Sequence, residues 1–173
     1  MKIIILFFTT FMSILLSSHS HAQEDKVEKS IDILDEIKSP YEEDNIRLEK
    51  TIRIYREIKK ELSLLGDLKV EITSLAQALE HMNEDFAVGE ASEEEINKAK
   101  QKIQEVALKV FNKRQKLFEL YQNYLTRCKF LKKTQHETIR SVAELLIQDA
   151  QTKLESFSDK EEEKEDNKVN KES

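Results

Sequence analysis

The chain contains very few of the residues that turn a backbone. Glycine occurs only at Gly66 and Gly89, proline only at Pro40, and tryptophan is absent from the 173 residues. Because a sheet protein of this length needs many more turn residues, their scarcity argues against β structure. Charged residues make up 36% of the chain, and Glu, Lys, Leu and Ile are its commonest residues. This composition is typical of long helices packed as a bundle or coiled coil.

Cysteine is almost absent as well. Cys128 is the single cysteine, so the chain cannot form an intrachain disulfide and must obtain its stability from apolar packing. Cys128 is in phase with an apolar stripe of one predicted helix. That position favours a small buried core residue over the alternative, a reactive or intermolecular thiol.

The start of the chain has the layout of a secretory signal peptide. Lys2 supplies a positive charge, residues 3–16 form an apolar run, and Ser20 and Ala22 place small residues at −3 and −1 of a cleavage site. The run is shorter than the roughly 20 residues that span a bilayer. We therefore expect cleavage after Ala22, with an uncleaved N-terminal anchor as the alternative. No cysteine lies near this site to take a lipid.

Export without a lipid places the mature protein in the periplasm, at the cell surface or outside the cell, with no stable membrane insertion. The leader carries one base and no acid, so its removal lowers the formal net charge from −6 to about −7. An acidic chain is not drawn to nucleic acid or to anionic lipid. We expect no nucleic-acid partner.

Apolar residues recur at intervals of three and four along almost the whole mature chain, which predicts amphipathic helices. The first helix is expected at residues 24–38 and the second from Ser39-Pro40, with Ser39 as its cap. Capping boxes, Ser92 with Glu95 and Thr134 with Glu137, predict the starts of two more helices. The fold class is therefore all-α, an up-and-down bundle of four to five helices with coiled-coil-like packing.

Some features of this architecture stay open in the sequence. Residues 40–82 form either one rod of roughly 65 Å or a hairpin, and we expect a hairpin or sharp kink at Gly66. Residues 158–173 hold one apolar residue, Val169, and are expected to be disordered. The bundle domain then covers residues 23–157. Stripes this long could also close on a second copy, so a homo-oligomer is a further possibility.

The sequence gives little support to metal binding or catalysis. His19 and His21 leave with the leader. His81 has acidic neighbours, but a zinc site needs three or four converging ligands. His136 is expected on the surface in the first turn of the last helix, and Cys128 could approach it only if the chain reverses between them. We therefore expect no enzyme, and no catalytic, cofactor or metal site.

Residues 110–130 are the locally basic and aromatic segment of this acidic chain. Either the aromatic side chains fill the widest part of the bundle core and the bases coat its outer face, or the segment binds a protein partner through aromatic and arginine anchors. The candidate partner-binding residues are Arg114, Tyr121, Tyr124, Arg127 and Phe130. Phe130 lies off the main stripe, so its exposure is the first feature to determine.

The leader core LFFTTFM, a mature region of about 150 residues and a helical body rich in Ile, Lys and Glu resemble the exported plasmid proteins of Lyme-disease spirochaetes (EppA/BapA type). The resemblance implies an exported, surface-associated helical protein that acts by interaction, with a host component as one class of partner. It assigns no functional residues. The alternative is an envelope coiled-coil protein with a structural or chaperone-like role, against which the acidic charge argues, because periplasmic holdase chaperones have basic cavities.

Overall fold

A computed structural model of the protein describes the backbone of residues 21–169 and the side chains of residues 24–157. Four helices account for nearly all of that segment, which contains no strand. The predicted all-α helical bundle is thereby confirmed. The leader prediction falls mainly on residues 1–20, which lie outside the described residues. The helices are α1 (His21–Glu36), α2 (Glu42–Ala87), α3 (Glu93–Leu131) and α4 (Glu137–Val169).

The chain divides into two compact units. Among the described residues, the first unit comprises 21–52 and 124–169, and therefore contains α1, the start of α2, the end of α3 and α4. The second unit comprises Arg53–Asn123, which is the remainder of α2 and α3 with the turn that joins them.

In the first unit α1 packs against α4. The apolar stripes predicted from the sequence supply its core, because residues three and four apart share one face of a helix. Cys128 is fully buried in this core, as expected. The other buried apolar side chains of the first unit are Val27, Ile31, Leu34, Leu48, Ile52, Tyr124, Leu131, Ile139, Ala143, Leu146 and Ala150.

In the second unit α2 and α3 lie side by side and run antiparallel. Ion pairs join Glu61 of α2 to Lys113 and Lys116 of α3, and the connecting turn lies midway between these residues along the chain. Phe86 continues the three-and-four spacing of apolar residues along α2, which predicts that it is buried, but the structure leaves it exposed. The buried apolar side chains of the second unit are Ile54, Ile58, Leu65, Ile72, Ile96, Ile103, Val106, Val110, Leu117 and Tyr121.

The expected hairpin or kink at Gly66 is wrong, because α2 continues as one helix from Glu42 to Ala87. Glycine in a helix interior costs about 1 kcal/mol relative to alanine, and Leu65 and Ile72 on either side are both buried. Burying one such side chain contributes roughly 1.5–3 kcal/mol. Packing of the stripe therefore outweighs the glycine, and no reversal is needed.

The chain reverses between α2 and α3 at Gly89, where φ is +83°, a conformation that glycine adopts without steric cost. The predicted capping box follows. The Ser92 backbone N–H donates to Glu95 Oε2 at 2.9 Å, and the Glu95 N–H donates to Ser92 Oγ at 3.3 Å. The predicted start of α3 is confirmed.

The second capping box does not form as predicted. The chain does turn back between Leu131 and Glu137, as an ion pair from Lys132 to Glu144 at 3.0 Å shows. The Oγ1 of Thr134, however, is buried with no hydrogen-bond partner among the described residues. The backbone oxygen of His136 instead accepts the first helical hydrogen bond of α4, from Arg140 at 3.1 Å.

The last helix continues to Val169, beyond the end expected at residue 157. Lys and Glu dominate the added segment, and both favour helix in the absence of packing. The side chains of residues 158–173 lie outside those described, so the disorder of this tail stays a prediction. Within residues 21–169 no helix is both long and apolar enough to cross a bilayer.

Candidate functional site

A surface groove lies in the first unit between the beginning of α2 and the end of α3. Its volume is about 330 Å³. We call it the α2–α3 groove and define it by the residues that line it, which are Glu43, Ile46, Arg47, Lys50, Arg127 and Phe130.

Helical spacing places these side chains together. The four residues from α2 lie at intervals of three and four and therefore share one face of the helix, and the two from α3 are three residues apart. Ser39 and Asn45 fix the start of α2. The Ser39 N–H donates to Asn45 Oδ1 at 2.8 Å, and Asn45 Nδ2 donates to the Ser39 backbone oxygen at 2.9 Å. The Tyr41 N–H donates to Ser39 Oγ at 3.2 Å, which forms a turn ahead of the helix. The predicted cap at Ser39 is wrong, because α2 begins at Glu42 and the backbone oxygen of Tyr41 accepts its first helical hydrogen bond, from Asn45 at 3.3 Å.

The groove has an apolar surface that water reaches. Ile46 is 44% exposed and Phe130 is 43% exposed. Lys133 lies beside them, with its Nζ 5.4 Å from the centre of the Phe130 ring, which is within the range of a cation–π contact. Two large apolar side chains are therefore presented together beside positive charge.

The charges around the groove are unevenly paired. Arg47 forms ion pairs with both nearby acids, with Nη2 3.2 Å from Glu43 Oε2 and Nη1 3.4 Å from Asp44 Oδ1. Lys50 and Arg127 form no ion pair with any residue of the described part of the chain. The acids of the groove are therefore occupied, while two of its bases are free to meet a ligand.

Arg127 carries an unsatisfied donor. Its Nε is shielded from water and has no hydrogen-bond acceptor among the described residues. Leaving a buried donor without an acceptor costs about 1–3 kcal/mol, more when the group is charged. An acceptor from a bound ligand or from water would satisfy this donor.

The five partner-binding residues expected from the sequence do not form one surface. Tyr121 is 5% exposed and Tyr124 is fully buried, so neither can contact a partner of the folded chain, and the core interpretation is correct for both. Arg114 is half-buried in the second unit. Only Arg127 and Phe130 come together, in the α2–α3 groove. The exposure of Phe130, which its place off the stripe suggested, is observed.

Sequence reasoning missed the α2 side of the groove. Ile46 lies two residues before Leu48, which is buried and belongs to the apolar stripe. An apolar residue off the stripe is the same signal that singled out Phe130, but it does not show that the two residues face one another. Nothing in the sequence distinguishes Arg47 and Lys50 from ordinary solvated bases.

The thiol of Cys128 has low nucleophilic reactivity in the folded protein. Burial raises the pKa of the Cys128 thiol from 9.0 to about 12, although a hydrogen bond with Tyr124 acts in the opposite direction. The thiolate, which is the nucleophilic form, is therefore scarce at neutral pH.

The histidines lie in different settings. His81 is exposed, with its Nδ1 3.6 Å from Glu84 Oε2, as expected for a solvated face. His136 is half-buried, and its Nδ1 has no hydrogen-bond partner among the described residues. Across the described residues, no three His, Cys, Asp or Glu side chains lie close enough together to hold a metal ion.

Comparison with known proteins finds no matching family model, no similar curated protein and no similar solved structure. The resemblance to the exported spirochaetal proteins therefore stays an expectation.

Proposed function

We propose that the protein is an exported, non-catalytic interaction module that binds another protein through the α2–α3 groove. The observation that carries the proposal is that the exposed side chains of Ile46 and Phe130 line one groove together with charged side chains. Interfaces commonly have this anatomy, with an apolar centre surrounded by a polar rim.

The residue types of the groove also support binding. Arginine and aromatic residues, phenylalanine among them, are enriched at the core of protein interfaces. Phe130 can fill a pocket of a partner, and Arg127 can donate to it. Both belong to the last turns of α3, a rigid element that loses little conformational entropy when a partner binds.

The export part of the proposal rests on the leader. Its charged start, apolar run and small residues at the cleavage site are the features that secretion requires. Protease treatment of intact cells would separate a surface location, where the protein is degraded, from a periplasmic one, where it is protected.

A binding role is favoured over catalysis by the state of the nucleophile that the sequence offered. Cys128 is fully buried, and its raised pKa keeps it protonated.

The proposal is tested by placing a photo-reactive phenylalanine analogue at position 130 and, as a matched control, at position 111. Phe111 is also exposed but belongs to the second unit. The processed protein is irradiated in contact with the producing cells and with host extract. We expect one discrete protein adduct from position 130 and none from position 111. Equal adducts at both positions would contradict a groove-specific partner.

A second candidate function, an oligomeric coiled-coil protein of the envelope, is favoured by the surface of the second unit. Six large apolar side chains there are exposed: Leu64, Val70, Phe86, Val88, Leu108 and Phe111.

Light scattering distinguishes this candidate from the first. A dimer or trimer that dissociates when Leu108 and Phe111 are both replaced by aspartate would support it. A species with the mass of one chain would exclude it and leave the interaction module.

A further inference from the structure

We infer that the α2–α3 groove selects a peptide segment that carries a carboxylate beside a large apolar side chain. The inference rests on the proposed function and adds the chemistry of the partner. Three features of the groove support it: the charge balance, the unpaired donor of Arg127 and the size of the apolar surface.

The charge balance favours an acidic ligand. Glu43 and Asp44 are both paired with Arg47, whereas Lys50 and Arg127 have no partner in the described part of the chain. Lys133 adds a positive charge at the Phe130 ring. The groove is therefore locally basic, although the chain as a whole has a net charge of −6. A ligand that reaches it meets uncompensated positive charge.

Arg127 determines which acidic group fits. A guanidinium binds a carboxylate side-on through two parallel N–H donors, one of which is commonly Nε. The Nε of Arg127 has no acceptor among the described residues, and a carboxylate bound side-on to this guanidinium would supply one. The complex would then contain a hydrogen bond to Arg127 that no residue of the described chain supplies.

The apolar surface sets the second requirement. A groove of about 330 Å³ is at the lower end of the range for small-molecule pockets, roughly 300–1,000 Å³, and suits one or two side chains. Ile46 and Phe130 present hydrocarbon to whatever enters. A leucine, isoleucine or phenylalanine next to the carboxylate would bury the exposed surface of Ile46 and Phe130. A purely ionic ligand would leave that surface exposed to water.

A peptide fits these features better than an extended polyanion. The net charge of −6 repels a long anionic surface such as a membrane, but a short segment is affected mainly by charges within about 10 Å of it. The ligand class is therefore an acidic and apolar stretch of a protein.

The test is selection from a display library of random short peptides against the processed protein, followed by titration of an enriched peptide. We expect Asp or Glu adjacent to Leu, Ile or Phe among the enriched sequences. Amidation of the peptide's acidic side chains and the Arg127→Gln substitution should each weaken binding by about tenfold or more. The matched control, Arg53→Gln, removes an exposed arginine of the second unit and should leave affinity unchanged.

The outcomes separate this inference from the proposed function. Enriched peptides that need Phe130, as shown by Phe130→Ala, but have no preference for acids would overturn the inference and leave the proposed function intact. Peptides whose binding is unaffected by Phe130→Ala would contradict both. Failure to enrich any peptide overturns the inference, as does tighter Arg127-dependent binding to phosphatidylglycerol vesicles than to any selected peptide.

Discussion

Glu61 shows how a single charged residue can be buried in a helical protein. Its side chain is 5% exposed, and its two oxygens lie 2.7 Å from Lys116 Nζ and 2.6 Å from Lys113 Nζ. Hydrogen bonds from Lys113 and Lys116, in that order, hold the pKa of Glu61 below its ordinary value of 4.5. A carboxylate whose pKa is lowered in the folded state stabilises the fold at pH values above the unfolded pKa.

We therefore expect Glu61→Gln to lower the free energy of unfolding by about 1 kcal/mol at neutral pH. The difference from the native protein should shrink as the pH falls below 4.5 and through the folded pKa, because the native carboxylate then becomes neutral as well. Urea titrations followed by circular dichroism across this pH range measure it. Glu57→Gln removes a longer, half-exposed contact to Lys116 at 3.5 Å and should have a smaller effect. A Glu61→Gln difference that is independent of pH would contradict the account.

Cys128 makes a prediction about reactivity. Because burial raises its pKa from 9.0 to about 12, the thiolate fraction near neutral pH falls by about a thousandfold relative to a free cysteine. A thiol reagent should label the folded protein at a very low rate and the urea-unfolded protein rapidly. As a control, Phe111→Cys combined with Cys128→Ser places the thiol at an exposed position and should react rapidly in the folded state. Rapid labelling of native Cys128 would show that this core is open.

At the scale of the helix, substitution of Gly66 tests whether α2 is continuous or a hairpin. A Cβ added at Gly66 would meet no atom within 4 Å, so Gly66→Ala should raise the free energy of unfolding by about 0.5–1 kcal/mol through helix propensity alone. The control is Gly89→Ala, which should destabilise by about 1–2 kcal/mol because φ is +83° there. Thermal unfolding of both variants measures this. Destabilisation by Gly66→Ala would indicate that the chain bends at this residue.

The two predicted capping residues, Ser92 and Thr134, should respond differently to substitution. Ser92 forms its capping hydrogen bonds, so Ser92→Ala should destabilise the fold by about 1 kcal/mol. Thr134→Val removes a buried hydroxyl that has no partner among the described residues and should leave stability unchanged or raise it slightly. Chemical denaturation compares the two variants. An equal loss in both would mean that Thr134 caps α4 after all.

These elements show which parts of the fold the sequence could predict. Apolar residues spaced at intervals of three and four identified the helices and most of the core, because this spacing places them on one face of a helix, which is then buried. The prediction at Gly66 was wrong because it considered the cost of glycine in a helix without the burial of Leu65 and Ile72, which outweighs that cost. The cap at Thr134 and the burial of Glu61 could not be foreseen, because both depend on partners that only the folded geometry brings near.

At the scale of the whole molecule, the candidate site was only partly accessible to sequence reasoning. Phe130 was singled out because it departs from its stripe, and the structure shows it exposed. Its partner across the groove, Ile46, is distant in sequence and comes near only because α2 and α3 are antiparallel. Tyr121 and Tyr124 share the aromatic character of the segment but face the core, so composition alone could not separate contact residues from packing residues.

The most direct test of the account is a calorimetric titration of the protein captured at position 130 into the processed chain. The account predicts saturable binding that Phe130→Ala weakens by about tenfold or more, while the exposed control Phe111→Ala leaves the affinity unchanged. Circular dichroism of each variant confirms that the helices are intact. Undiminished binding by Phe130→Ala, or an equal loss in both variants, would contradict a function centred on the α2–α3 groove.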